Sequence, residues 1–414
     1  MVIQKLEKSS KEEMRTLFKQ CFNSMFDSQS FDWFIDSDEL WRYIWGVKKD
    51  GVLIASYIAY EGEVKFRKIP FKINFFDGVV SKPGERGKGM VREMLNHHVM
   101  IAENDSIELL LLDPFKTSFY EALGYTTAID MAKYEIPFEL IRKPESKKMG
   151  YEAFSGFISE SEPLQKKIRE ILKMDWEHAN YNPMKIPDCY IRKMLMSKLH
   201  QTCIFEENGI PRGYILYTVE NRVLSIRRII YFDIEVIQAL NHFIYQYKDQ
   251  VDRITMDFMP DDLPVHLLCS SMRAGTKEVV KTKKPSRMIK IPDIEKLLRK
   301  LMTHSEKSLP EFLLTVEDPF IEKNNRTFWF RDNQMLTVDD RNRKGDIDHI
   351  RLNISDFVPL FTGYSSITEK YLQKKISVNN GTSSGWNQYA IPVILREIEF
   401  LLPPLQTYST EFCY

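Results

Sequence analysis

The chain has 414 residues with 58 basic and 58 acidic side chains, and the neutral net charge argues against nucleic acid as the main partner. It lacks any run of about 18 consecutive apolar residues, so we expect no membrane-spanning segment and no membrane partner. A hydrophobic fraction of 43% is that of an ordinary globular protein, and the length predicts roughly two to four domains.

The cysteines and the first residues bear on the cellular compartment. Five cysteines are scattered along the chain without C-x-x-C spacing, a pattern that is typical of reduced thiols. The opening segment MVIQKLEKSSKEEM lacks the apolar core of a secretory signal. We therefore expect a cytoplasmic protein. The histidines are dispersed as well, so the sequence predicts no metal site.

Hydrophobic periodicity predicts a mixed α/β unit over residues 1–141. Its predicted elements are a helix at 11–21, strands at 51–60 and 66–76 joined by an EGE turn at 61–63, a strand at 78–81, a helix at 90–102, a strand at 107–112, a short helix that closes at 124, and a strand at 126–137. The polar, basic segment 142–150 then predicts a linker.

A glycine-rich turn at 83–89 lies between the strand at 78–81 and the helix that begins at Met90. It places Gly87 and Gly89 beside Arg86 and Lys88. The first N–H groups of a helix have no partner within the helix and the dipole is positive there, so a phosphate fits well. Glycine lets the anion reach the backbone. The turn lacks the end of a P-loop and the third glycine of a dinucleotide fingerprint, so it predicts a phosphate site of another kind.

The order strand, R-x-x-G-x turn, helix, strand and F-Y-x-x-x-G-Y resembles the acetyl-CoA core of the GNAT acetyltransferases. The segments GMVREML and FYEALGY are similar to one branch, the enhanced intracellular survival family of bacterial acetyltransferases. This resemblance implies an acetyl-CoA-dependent N-acetyltransferase. The residues that it implies for acetyl-CoA binding are Val79, Val80 and Ser81 along the pantetheine arm, and Arg86, Gly87, Lys88, Gly89 and Met90 around the pyrophosphate.

The resemblance also assigns the catalytic groups. It implies Tyr120 as the general acid that protonates the departing thiolate. A phenol has a reference pKa near 10 against about 8.5 for a thiol, so it stays protonated at pH 7 and can donate. Backbone N–H groups around Val79 and Val80 are the expected oxyanion donors. For the base, the family uses its terminal carboxylate, which here implies Tyr414, with Glu411 attracting a cation.

The segment 22–45 is dense in aromatic and acidic residues. Such a stripe is typical of short helices with core-facing aromatics, and it also suits a pocket for a cationic amine. In the family this segment lines the acceptor pocket, which implies Phe22 and Trp41 as pocket aromatics. Ser24 stands where the family has an acidic pocket residue, with Asp27 nearby.

Residues 150–295 predict a second unit with the same plan. Its predicted elements are a helix at 164–176, strands at 201–206 and 213–219 around an NGIPRG turn, a helix at 234–248 and a strand at 254–258. The link before the helix at 234–248 is IIYFD, so a glycine-rich turn is missing and we predict no CoA binding there. The resemblance implies a second, degenerate GNAT-like domain.

Residues 296–414 resemble the sterol-carrier-like domain that ends the family. The predicted elements near and within it are helices at 294–302, 356–362, 365–374 and 391–401 and strands at 312–316, 326–331, 334–338 and 349–354. The predicted fold class is therefore α+β and α/β, with two GNAT-like mixed-sheet domains followed by a sterol-carrier-like α+β domain.

Three functions are compatible with these observations. The first is acetyl transfer to a small cationic or aminoglycoside-like amine. The second is acetylation of protein or peptide lysines, and the third is a non-enzymatic role in lipid binding. Family members form hexamers, so the resemblance implies a homo-oligomer.

Overall fold

The computed structural model describes residues 2–22, 35–145, 151–178, 182–195, 201–304, 308–339, 347–379, 391–399 and 402. Four of the predicted site residues, namely Ser24, Asp27, Glu411 and Tyr414, lie outside these ranges. The roles of these four residues stay predictions.

Many of the strands follow alternating or fully apolar stretches of the sequence. In chain order they are β1 (Val2–Lys5), β2 (Ile44–Lys49), β3 (Val52–Phe66), β4 (Ile69–Ser81), β5 (Leu109–Leu112), β6 (Thr126–Pro137), β7 (Tyr151–Phe157), β8 (Met184–Lys185), β9 (Gln201–Glu207), β10 (Ile210–Glu220), β11 (Val223–Tyr231), β12 (Arg253–Met259), β13 (Arg273–Ala274), β14 (Lys277–Glu278), β15 (Val280–Lys290), β16 (Phe312–Glu317), β17 (Arg326–Arg331), β18 (Gln334–Val338), β19 (His349–Asn353) and β20 (Ile376–Asn379).

Several helices bury an apolar face, whereas the helix at Ile354–Thr362 is buried along nearly its whole length. The helices are α1 (Lys11–Cys21), α2 (Met90–Asn104), α3 (Thr117–Glu121), α4 (Glu162–His178), α5 (Asp188–Leu195), α6 (Glu235–Tyr245), α7 (Ile294–Thr303), α8 (Ile354–Thr362), α9 (Ile367–Leu372) and α10 (Val393–Ile398). None of the helices in the described ranges is long and apolar enough to cross a membrane.

One mixed sheet runs through the first two units. Over the described residues it has thirteen strands in the order β1-β2-β3-β4-β5-β15-β6-β12-β11-β10-β9-β7, with β8 paired to β3. The pairs β4–β5 and β11–β12 are parallel, and each belongs to one unit. A separate five-stranded sheet, ordered β18-β17-β16-β19-β20, forms the third unit. Two mixed-sheet units followed by an α+β unit were predicted, and this fold class is confirmed.

The strand β15 crosses from the second unit into the first. It lies between β5 and β6, where Met288 is paired with both Leu112 and Thr127. This strand was not predicted, because its first eight residues, VKTKKPSR, are basic, mostly exposed and interrupted by a proline. The first sheet is therefore completed by residues that follow it by more than a hundred positions. The predicted domain boundaries, 1–141, 150–295 and 296–414, stay predictions.

The predicted EGE turn at 61–63 is wrong, because β3 runs straight through these residues. The chain turns instead at Arg67 and Lys68, whose φ angles are 54° and 65°. Gly62 lets the backbone at Lys185 lie close to β3, since an added Cβ would be 2.4 Å from the carbonyl oxygen of Lys185. That contact follows from the pairing of β8 with β3, which the sequence pattern does not reveal.

Helix α2 covers the first sheet and carries a buried polar network. The side chain of His98 lies inside the core, with Nδ1 3.1 Å from the hydroxyl of Tyr57 and Nε2 2.9 Å from Oδ1 of Asn74. Burial lowers the pKa of His98 to about 3. The imidazole is therefore neutral in the folded protein at every physiological pH.

We expect this histidine to weaken the fold in mild acid. The unfolded chain binds a proton at His98 below its ordinary pKa of about 6.5, whereas the folded chain does not, so stability falls as pH falls. At pH 5 the loss is about 2 kcal/mol. Urea unfolding at pH 7.5 and pH 5 measures it, and His98→Gln should remove most of the difference. The exposed His304 provides the control through His304→Gln, and an unchanged pH dependence in His98→Gln would contradict the assignment.

Candidate active site

Strands β4 and β5 part at the centre of the first sheet. They are paired in parallel from Ile73–Leu109 to Phe76–Leu112, and β4 then continues to Ser81 after β5 has ended. A register shift against β3 bends β4 at this point, and Gly78 adopts a φ of +56°. An added Cβ on Gly78 would lie 2.8 Å from the ring of Phe18, so glycine is required there. The result is a wedge whose β4 side presents backbone groups of residues 77–81.

A cavity of about 350 Å³ opens at this wedge. Its described lining consists of Phe22, residues 75–79 of β4, residues 112–115 after β5, Tyr120, residues 131–133 of β6, Tyr190, residues 257–258 of β12 and residues 284–286 of β15. The predicted site residues Phe22, Val79 and Tyr120 therefore face one space. Side chains from the second unit complete the wall, which the sequence analysis did not predict.

The glycine-rich turn stands at the start of α2, as predicted. Gly87 and Gly89 have φ angles of +78° and +79°, which side chains rarely adopt, and an added Cβ on either would meet no atom within 4 Å. Gly89 is the N-cap of α2, and the turn is largely open to solvent. Exposed N–H groups at a helix start suit an anion. Met90 places its side chain in the core, so only its backbone is available to a ligand.

Tyr120 lies on α3, is 3% exposed and is one of the residues that line the cavity. Its ring contacts Phe119 edge-on at 5.1 Å and Tyr125 at 6.1 Å between centroids. Burial raises the pKa of Tyr120, so the hydroxyl is a proton donor well above neutral pH. The end of α3 is held by Lys290 of β15, whose Nζ donates to the carbonyl oxygen of Leu123 at 2.9 Å.

Sequence reasoning also missed a buried ion pair at the end of β5. The side chain of Arg287 has no exposed surface, and its Nε and a terminal nitrogen donate to the carboxylate of Asp113 at 2.9 and 3.3 Å. The guanidinium also lies 4.8 Å from the ring centre of Phe75. Asp113 lines the cavity, so this pair ties β15 to the wedge. The Asp-Pro dipeptide that follows β5 is visible in the sequence, but the sequence does not reveal that Arg287 is the partner of Asp113.

The two predicted pocket aromatics are placed differently. Phe22 lines the cavity, whereas Trp41 packs in the core and donates from its indole to the carbonyl oxygen of Ile35 at 3.0 Å. A carboxylate of the cavity wall, Asp77, accepts from Nζ of Lys193 at 3.2 Å. Within the described ranges, no cluster of His, Cys, Asp and Glu side chains could hold a metal ion.

The second unit repeats the parallel strand pair of the first. Strands β11 and β12 are paired in parallel up to Ile226 and Met256, and β11 then continues with a bulge at Arg227. Arg228 follows with its side chain buried, close to the point where the first unit has Gly78. The lack of a glycine-rich turn before α6 favours the prediction that this unit binds no CoA.

The third unit encloses an apolar cavity of about 520 Å³ between its sheet and its helices. Leucine, isoleucine and phenylalanine side chains make most of its described lining. Arg67 and Lys68, from the turn between β3 and β4 of the first unit, stand at its rim. Arg67 also donates to the carbonyl oxygens of Leu360 and Phe361 at 2.8 and 2.9 Å, which joins the two units.

Comparisons with known proteins agree with this architecture. Residues 2–128 match an acetyltransferase (GNAT) domain, residues 176–291 match another domain model of that description, and residues 294–388 match a sterol carrier protein domain. No curated protein matches the chain.

Several solved structures share the complete fold. A conserved protein of unknown function from Enterococcus faecalis V583, described as a probable N-acyltransferase, has a TM-score of 0.79 at 17% identity and covers 100% of this chain and 99% of its own. A GCN5-related N-acetyltransferase from Anabaena variabilis has a TM-score of 0.76 at 15% identity and covers all of both chains. Eis1 from Mycobacterium abscessus has a TM-score of 0.75 at 14% identity, over 99% of this chain and 100% of its own.

The fold and the matched domains define an acetyltransferase enzyme of the GNAT class. This chain carries two GNAT domains followed by a sterol carrier protein domain. GNAT domains generally use acetyl-CoA, and the fold supports acyl-CoA-dependent N-acetyltransferase activity. The predicted enzyme class is confirmed.

Proposed function

We propose that the first domain transfers an acetyl group from acetyl-CoA to an amine of a small cationic or aminoglycoside-like acceptor, and that the chain belongs to the enhanced intracellular survival family. The observation that supports this proposal most directly is the wedge between β4 and β5, where Tyr120 and residues 77–79 of β4 line one cavity. The full-length likeness to Eis1 supports the family assignment at the level of fold.

Acetyl-CoA would supply an activated acyl group, and the chain's own residues would hold and polarise it. The pyrophosphate would lie on the N–H groups from Arg86 to Met90, and the pantetheine arm would extend along Val79, Val80 and Ser81. Of the predicted oxyanion donors, the N–H of Val79 can donate to a carbonyl oxygen in the wedge, where β5 has ended, whereas Val80 is paired with Ser56 of β3. The hydroxyl of Tyr120 can give its proton to the departing sulfur.

The acceptor would enter past Phe22 and the aromatic wall of the cavity. Aromatic faces attract ammonium groups, which supports a small cationic amine as the first choice. A protein or peptide lysine is the second candidate. The rate of thiol release from acetyl-CoA with spermine, kanamycin and a lysine peptide distinguishes the two.

For the base, we retain the predicted carboxylate of Tyr414, with Glu411 attracting the cation. Removal of Phe412, Cys413 and Tyr414 is expected to abolish acetyl transfer while acetyl-CoA still binds. The rate of thiol release and a binding titration measure the two effects. Full activity after removal would eliminate the terminal carboxylate as the base. Hexamer formation and a cytoplasmic location stay predictions, and light scattering of the purified protein checks the first.

The glycine-rich turn offers the direct test of acetyl-CoA binding. We expect Gly89→Ala to raise the dissociation constant for acetyl-CoA by about tenfold or more, because a side chain at this left-handed position distorts the anion site. Gly209→Ala is the matched control, since Gly209 has the same φ of +79° and the same open surroundings in the turn between β9 and β10. Calorimetric titration measures both, and equal affinities in the two variants would place the pyrophosphate elsewhere.

A further inference from the structure

Strand β12 of the second domain is irregular where it reaches the cavity. It is paired with β6 from Arg253–Pro137 to Met256–Tyr134 and again at Met259–Ala132. Three steps along β12 therefore match two steps along β6, which leaves one extra residue in β12. The bulge that results comprises Asp257 and Phe258, and both residues line the cavity of the first domain.

Phe258 holds an unfavourable backbone conformation in this bulge. Its φ is +59°, within the left-handed region. Most other described non-glycine residues with positive φ lie in turns, and Phe258 is the aromatic residue among them. A bulky residue in this region is a conformational outlier that surrounding structure must maintain, and such outliers concentrate at functional sites.

The wall next to the bulge is irregular as well. The pairing of β15 with β6 shifts on both sides of Arg287, and Lys284, Pro285 and Ser286 line the same cavity. Two strands of the second sequence unit thus leave regular pairing where they meet the proposed acceptor space. Regular strands would have placed these side chains alternately on the two faces of the sheet.

Nearby cations offset the negative charge of the described carboxylates that line the cavity, so charge alone does not explain why this part of the wall is irregular. Asp77 pairs with Lys193, Asp113 pairs with Arg287, and a terminal nitrogen of Arg227 lies 3.9 Å from Asp257. The distinctive contribution of the bulge is therefore the aromatic residue Phe258, which shares the lining with Phe22 and Tyr190.

We propose that the second GNAT domain sets the acceptor selectivity of the first, and that the strained bulge at Phe258 is the determinant. This inference rests on the proposed acetyl transfer. The ring forms a fixed aromatic boundary against which the carbon skeleton or ammonium group of the acceptor packs. The second domain thus retains a role in the reaction although it lacks a glycine-rich turn of its own.

The test is Phe258→Gly, which removes the ring and allows the left-handed backbone without strain. We expect kcat/KM for the best acceptor among spermine, kanamycin and Nα-acetyl-lysine methylamide to fall about tenfold or more, with a changed order among the three. The KM for acetyl-CoA should stay within about twofold, and the melting temperature should not fall. Asn221→Gly is the control, because it relieves a left-handed residue in the turn between β10 and β11, away from the cavity.

Unchanged kcat/KM values and an unchanged acceptor order in Phe258→Gly would overturn the inference while leaving acetyl transfer intact. If this variant does not fold, Phe258→Asn removes the ring with a residue that tolerates the left-handed region, and the same criteria apply. A wild-type protein that acetylates none of these or other amines would overturn the proposed function and the inference together.

Discussion

A fragment that ends at Ile141 is expected to lose its native fold and its affinity for acetyl-CoA, although it contains every predicted acetyl-CoA contact. It lacks β15, the strand that lies between β5 and β6. Met288 and Ile289 of this strand are completely buried. Each such side chain contributes about 1.5–3 kcal/mol on burial, and each lost strand hydrogen bond about 1 kcal/mol. The sum is comparable to the whole stability of a domain, about 5–15 kcal/mol.

The control joins residues 1–141 through a glycine–serine linker to residues 280–292, which restores β15 in one short chain. We expect circular dichroism and size exclusion to show that residues 1–141 alone are aggregated or unfolded. The joined protein should be closer to the native fold. Calorimetric titration with acetyl-CoA compares their binding. A soluble monomer of residues 1–141 with cooperative unfolding and full affinity would show that β15 is dispensable.

Replacement of Tyr120 by phenylalanine is expected to lower kcat by about 10²–10⁴-fold, which is the usual contribution of a general acid. The KM for acetyl-CoA should change little, because the ring keeps its edge-on contacts with Phe119 and Tyr125. Burial raises the pKa of Tyr120 above its ordinary value of 10.0. The acid is therefore protonated through pH 9, and we expect no fall in rate from its ionisation below pH 10.

Tyr125→Phe is the matched control for this experiment. The hydroxyl of Tyr125 is buried and has no hydrogen-bond partner among the residues that the structure describes. Its removal should leave kcat unchanged and should not destabilise the fold, because an unsatisfied buried hydroxyl is itself unfavourable. Stopped assays of thiol release over pH 6–10 measure both variants. Wild-type turnover in Tyr120→Phe would reject this residue as the acid.

Local patterns predicted several elements to the residue. The bounds of α1 (Lys11–Cys21), β6 (Thr126–Pro137) and β17 (Arg326–Arg331) are those expected from periodicity alone. Each has a strong apolar pattern with a clear period, and such patterns depend on the burial of one face. The glycine-rich turn was also predicted, because glycines directly before a helical pattern can be recognised in the local sequence.

Elements that depend on distant partners were missed or misplaced. The basic half of β15 forms a strand because β6 offers it a partner, and Gly62 continues β3 because β8 approaches it there. Neither partner is marked in the local sequence, since strand propensity is weak and pairing decides it. For the same reason the sequence did not reveal that Asp257 and Phe258 line the cavity, or that Arg287 pairs with Asp113 beside it, because long-range sheet pairing brings them there.

The amino-acid sequence by itself determined the class of fold, the order of the units, the turn before α2 and the candidate acid, because these are short-range patterns joined to a family resemblance. Only the tertiary structure decided that one sheet passes through both GNAT domains and that the second domain builds part of the wall around Tyr120. Hydrogen bonding between strands more than a hundred residues apart is the cause, and no local pattern encodes which edges will meet.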